Sequence, residues 1–137
     1  MRLTETGALL ALISAYDNRN FNEETTAAWY DLLSPYTLAE AKHAVKKHYS
    51  ETRDWLMPAD VLRIIKTERR TRLAKVETIV PSRADMTDTA AELATTKALS
   101  KAIASGQLTP EQYGDYLRSD TPWSTYRRGI LALKGAA

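Results

Sequence analysis

The chain has 137 residues, 44% of them hydrophobic and 26% charged, a balance that argues against wholesale disorder and suits one main core with room for a smaller appended unit. It contains no cysteine, which removes disulfides, Cys-ligated zinc, iron–sulfur clusters and thiol catalysis together. The formal net charge of +2 is unevenly spread: two basic residues face six acidic ones in 1–41, ten face four in 42–75, and seven face seven in 76–137.

The opening residues Met1-Arg2-Leu3-Thr4-Glu5 lack a basic start followed by a long apolar stretch, and the run Ala8 to Ile13 is too short to span a bilayer, so a cytoplasmic protein is expected. In segment 4–16, Leu9, Leu10, Leu12, Ile13 and Tyr16 recur at helical spacing and predict one buried face. Asp17-Asn18-Arg19-Asn20 reads as a turn, because Asn and Asp bond their own backbone and tolerate left-handed conformations. Asn22 can cap a second helix whose first turn holds Glu23 and Glu24 at the positive end of the dipole and which closes at Pro35. Thr37 and Glu40 form a capping box that opens a third helix to about Tyr49, with Lys42, Lys46 and Lys47 largely opposite its apolar set. A polar loop over 50–57 leads to Pro58, placed as a first helical residue, and Val61, Leu62, Ile64 and Ile65 form the buried stripe of a fourth helix. That helix is expected to run to about Thr78 as a basic extension. Trp29 and Trp55 read as core residues.

The stretch Val80 to Asp88, with Pro81 and Ser82, reads as a linker. An Ala-rich helix over 88–104 stops at Gly106; Thr109-Pro110-Glu111-Gln112 opens a helix over 110–118, and Thr121-Pro122 opens a last one. The expected fold is therefore all-α: a four-helix, bundle-like domain over 1–78 with a long basic fourth helix, a linker over 79–88, and two to three shorter helices over 89–137.

Chemistry-bearing patterns are few. His43 and His48 lie five residues apart on one helix, about 140° around it, and do not converge as an i, i+4 metal pair would. Glycine-rich phosphate loops, nucleophile elbows and paired carboxylates are missing from the sequence, so no cofactor, metal, small-molecule substrate or enzymatic activity is expected. Arg63, Lys66, Arg69, Arg70, Arg72 and Lys75 form a cluster on the fourth helix able to neutralise DNA phosphates, or simply a solvated face. Trp123, Tyr126, Arg127 and Arg128, with Tyr113 and Tyr116 before them, are the residue types that dominate interface energetics, and mark 110–133 either for partner docking or for internal packing.

The order of features over 8–65 resembles the small bacteriophage replicative-helicase loader/inhibitor family. The likeness lies in the aliphatic helix closing on Ala15-Tyr16, then Phe21 with Glu23-Glu24, then Trp29-Tyr30-Asp31-Leu32-Leu33. It continues through Leu38-Ala39-Glu40-Ala41 and His48-Tyr49 to Trp55-Leu56-Met57-Pro58-Ala59-Asp60-Val61, a little under half of the chain. The resemblance implies a helical N-terminal domain, a less ordered C-terminal region that engages a hexameric phage or host replicative helicase in the host cytoplasm, and delivery of that helicase to an origin complex; an origin-binding protein or DNA is expected as a further partner. The chain departs from that family after residue 80, where caps and apolar stripes predict helices. A DNA-binding module built on 58–78 and a small phage structural adaptor are the alternative expectations.

Overall fold

A computed structural model describes residues 1–136, and among them the fold is all-α with no strand. The helices are α1 (Leu3–Asp17), α2 (Glu23–Leu33), α3 (Leu38–Glu51), α4 (Pro58–Ala74), α5 (Thr89–Ser105), α6 (Pro110–Ser119) and α7 (Trp123–Ala136), with a 3-10 turn at Arg83–Asp85. The chain divides into two compact units, Met1–Glu68 and Arg69–Ala137.

Local chemistry sets the helix ends. The Asn22 side chain accepts from the Thr25 N–H at 2.8 Å, and Thr37 and Glu40 satisfy one another's backbone donors, as do Thr109 and Gln112. Asn18 ends α1 at φ 60°, and Gly106 ends α5 at φ 81°, a left-handed conformation that glycine adopts without steric cost.

The first unit has one core, to which four helices contribute: Leu9, Leu10 and Ile13 from α1, Trp29 and Leu33 from α2, Ala41, Ala44 and Val45 from α3, and Val61, Ile64 and Ile65 from α4. The helical spacing of these residues places them on single stripes, so each helix can bury one face and solvate the other. Trp29 is 4% exposed, in line with its core reading, whereas Trp55 is 62% exposed. The correction at Trp55 has a simple cause: the loop before α4 turns its next residue, Leu56, fully inward, which directs Trp55 outward. Tyr16, expected on the buried face of α1, is also largely exposed.

The second unit begins within α4. That helix stops at Ala74, short of the expected Thr78; the Lys75 and Val76 N–H groups bond back three residues to Arg72 and Leu73 and tighten the final turn. Leu73, Val76 and Ile79 pack against a core formed by Leu99, Ala102, Ile103, Leu108, Tyr113, Tyr116 and Ile130. Residues expected to serve as a linker are held down here. Pro81 and Ser82 are buried, the Val80 N–H donates to the Tyr113 hydroxyl at 2.9 Å, and the Ser82 N–H donates to the Tyr116 hydroxyl at 2.9 Å. Two phenols thus supply partners that an extended segment cannot find in a ladder.

Tyr116 is fully buried, and its hydroxyl also donates to the Asp85 carboxylate. Burial and that bond to Asp85 raise its pKa above the usual phenol value. Replacing Tyr116 with Phe leaves the Ser82 N–H without its acceptor and should lower the unfolding free energy by about 1–3 kcal/mol. The denaturation midpoint in urea reads this directly, and an unchanged midpoint would show that the hydroxyl adds nothing net.

Candidate interaction surfaces

The loop between α3 and α4 is fastened by a buried polar network. Asp17, the last residue of α1, accepts from the Arg19 N–H at 3.1 Å, from Arg19 Nε at 2.8 Å and from the Tyr49 hydroxyl at 2.5 Å. Arg19 Nη2 donates to the Leu56 carbonyl at 2.6 Å, and the Leu56 N–H donates to the Tyr49 oxygen at 3.2 Å. The Arg19 and Asp17 side chains retain only 10% and 4% of their exposure, so both charges depend on each other for compensation. Burial alone would raise the Asp17 pKa, but the hydrogen bonds from Tyr49 and Arg19 outweigh it and hold the carboxyl below its usual range. Tyr49 moves the other way: burial and its bond to Asp17 raise it.

This network carries an exposed aromatic surface. The Arg19 guanidinium lies 4.8 Å from the Trp55 ring centre and 5.2 Å from that of Phe21, cation–π distances that pin the indole against a buried charge. Met57, whose sulfur is 3.6 Å from Arg19 Nη1, is 51% exposed, and Tyr16, at 49%, stacks on Tyr49 with ring centres 5.0 Å apart. Trp55 stands at the lip between two open grooves. One, of 850 Å³, runs between Tyr16–Asn18 and the 49–55 segment; the other, of 630 Å³, lies between the end of α3 and residues Asp60 to Thr67 of α4. His48 is buried, and its Nε2 pairs with the Asp54 carbonyl at 2.7 Å, tying the same loop to α3.

The basic cluster is distributed across both units. Arg63 bridges to Asp60 at 3.4 Å, Lys66 and Arg70 are exposed, Arg69 is half-buried, and Lys75 is exposed. Arg72 is committed: its Nη1 donates to the Ala104 carbonyl at 3.0 Å, satisfying an orphan acceptor at the end of α5. Lys47 donates to Glu68 at 2.9 Å, with His43 3.9 Å from the same carboxylate. The first unit carries eight basic and ten acidic residues, a net of −2, and the second carries eleven and seven, a net of +4.

The aromatic residues expected near the C-terminus are brought together, but inside their own unit. Tyr116 lies 6.4 Å from Tyr113, 5.6 Å from Trp123 and 5.7 Å from Tyr126 between ring centres. The Trp123 backbone N–H donates to Asp85 at 2.8 Å, and the Tyr126 hydroxyl donates to the Gln112 carbonyl at 2.9 Å. Ring packing and hydrogen bonds of this kind occupy the apolar bodies of these side chains and the hydroxyls of Tyr113, Tyr116 and Tyr126. Arg127 and Arg128, by contrast, remain exposed, together with Leu131 and Leu133.

The Trp55 surface escaped the sequence reading because its support is not periodic. Arg19 bonds a carbonyl 37 positions away, a partner that no local pattern discloses. Among the described residues, no group of three His, Asp or Glu side chains is placed to hold a metal ion, and no helix is long and apolar enough to cross a membrane. No family model matches the chain, and no curated protein or solved structure is significantly similar to it.

The Asp17 pKa is depressed in the folded state, so its stabilisation is present above the ordinary carboxylate value and is lost as pH falls through the lower folded value. Replacing Tyr49 with Phe should cost about 1–3 kcal/mol at neutral pH, shrink the part of the stability that is lost in acid and end that loss at a higher pH, since Asp17 loses one of the bonds that depress it. Thermal melts followed by circular dichroism between about pH 2 and pH 7 test both statements; identical profiles for the two proteins would contradict them.

Proposed function

We propose that this chain is a replication accessory protein that binds a hexameric replicative helicase and controls its loading or activity by stoichiometric docking. The observation that carries the reading is the ordered series of elements over 8–65, ending in Trp55-Leu56-Met57-Pro58, which resembles that of small phage helicase loaders and inhibitors. A binding role is further supported by the way that last element is built. Leu56 anchors the loop in the core while Trp55 and Met57 face solvent, and large, pre-positioned aromatic residues are the kind that concentrate binding energy.

Within 110–133, the segment expected to dock, Tyr113, Tyr116, Trp123 and Tyr126 stabilise their own unit, and Arg127, Arg128 and Leu131 supply its outward contacts. The DNA-phosphate reading of α4 has less to draw on, since Arg72 is bonded to Ala104 and Arg63 faces Asp60.

Purified chain and helicase, mixed at micromolar concentration and separated by size-exclusion chromatography, should co-elute in at least one nucleotide state of the helicase. The double change Arg127→Ala with Arg128→Ala should weaken the complex about tenfold or more, as loss of interface arginines commonly does. Absence of co-elution in every nucleotide state would overturn the helicase reading.

A further inference from the structure

Two exposed surfaces of this chain, one in each compact unit, are complementary in charge. The first is the Trp55 ridge. Its exposed aromatic rings, Tyr16 and Trp55, border the 850 Å³ groove that also presents Glu51 and Asp54, and exposed Met57 follows two residues after Trp55. Asp17 and Arg19 neutralise each other beneath it, leaving Glu51 and Asp54 against Arg53 among the groove's charged side chains. The second is the outward side of α7. This helix turns Trp123, Tyr126 and Ile130 toward its own core at spacings of three and four, which places Arg127, Arg128 and Leu131 away from it. No acidic residue occurs anywhere in Trp123–Ala136.

We propose that the protein self-associates, with the Arg127-Arg128-Leu131 side of α7 in one copy seated on the Trp55 ridge of a second copy. The occupant follows from the charges: a helix without acids, carried by a unit of net +4, meets a groove with two carboxylates against one arginine on a unit of net −2. Leu131 supplies the apolar contact between Tyr16 and Trp55, and the two arginines reach Glu51 and Asp54 while their planar guanidinium groups lie against aromatic rings. The ridge is already rigid, because Arg19 and Tyr49 fix the loop beneath it, so association orders little that was not ordered before. Two copies that exchange helices reciprocally make this contact twice and close as a dimer; copies that dock head to tail extend as a chain. Either arrangement raises the mass and is sensitive to salt, since the contact is electrostatic at its rim.

The test is sedimentation of the full chain at low and moderate salt, with a charge exchange between the two surfaces. Wild-type protein should show a mass rising with concentration to at least twice the 15.4 kDa of one chain, and falling back as salt is added. Glu51→Arg with Asp54→Arg should abolish the rise, as should Arg127→Glu with Arg128→Glu. Mixed one to one, these two variants should associate again, since each now presents the complement of the other. All four positions are exposed, and circular dichroism checks that the variants fold. Trp55→Ser provides an uncharged variant that should also remain a monomer. A wild-type chain that stays monomeric to several hundred micromolar, or a mixture that does not associate, overturns the proposal.

Discussion

The carboxylate of Asp17 collects three hydrogen bonds where α1 ends, and the first unit's exposed Trp55 surface hangs on that point. Through Arg19 it reaches the Leu56 carbonyl, and through Tyr49 it reaches the Leu56 N–H, so both backbone groups of the residue that plugs the core are satisfied by one network. Burying an ion pair is weakly stabilising at best, because desolvation offsets most of the attraction. What the pair supplies here is geometry. With Leu56 held at both its donor and its acceptor, the residues on either side, Trp55 and Met57, are displayed to solvent in a defined pose, and the Arg19 guanidinium backs the indole from below.

The second unit repeats the device with different residues. Tyr113 and Tyr116 accept from the Val80 and Ser82 N–H groups just as Tyr49 accepts from that of Leu56, and Asp85 takes the place of Asp17 by accepting from both the Tyr116 hydroxyl and the Trp123 N–H. In each case a phenol from a helix reaches an irregular segment whose backbone would otherwise be buried without partners. The aromatic richness of 110–126 is therefore explained by the work of holding 78–85 in place, while Arg127, Arg128 and Leu131 stay exposed.

Helix positions, caps and the aliphatic stripes were legible in the chain, because each depends on residues within four positions of one another: Asn22 with Thr25, Thr37 with Glu40, Thr109 with Gln112, and Leu9 with Ile13. The exposure of Trp55 was not legible. In a loop without period, a tryptophan beside Leu56 gives no sign of which of the two points inward, and the guanidinium that decides it comes from a turn 36 residues earlier. The docking of 79–88 was hidden for a related reason. Pro81, Ser82 and small polar neighbours are the composition of a linker, and only the distant phenols of α6 show that this backbone is bonded. The end of α4 at Ala74 follows from the same tertiary pull, with Leu73, Val76 and Ile79 drawn onto the second core.

A surface that binds through a pre-positioned aromatic side chain differs physically from one that orders a flexible loop on contact, since the entropy of fixing the loop is met during folding in the first case and during association in the second. Nitrogen-15 relaxation of the three indole N–H groups distinguishes them. If the Asp17, Arg19 and Tyr49 network holds the ridge, the Trp55 indole should have an order parameter close to that of buried Trp29, near the value of about 0.85 typical of rigid backbone. A Trp55 value below about 0.6, with Trp29 remaining high, would show a mobile indole and contradict the claim that this network organises the surface.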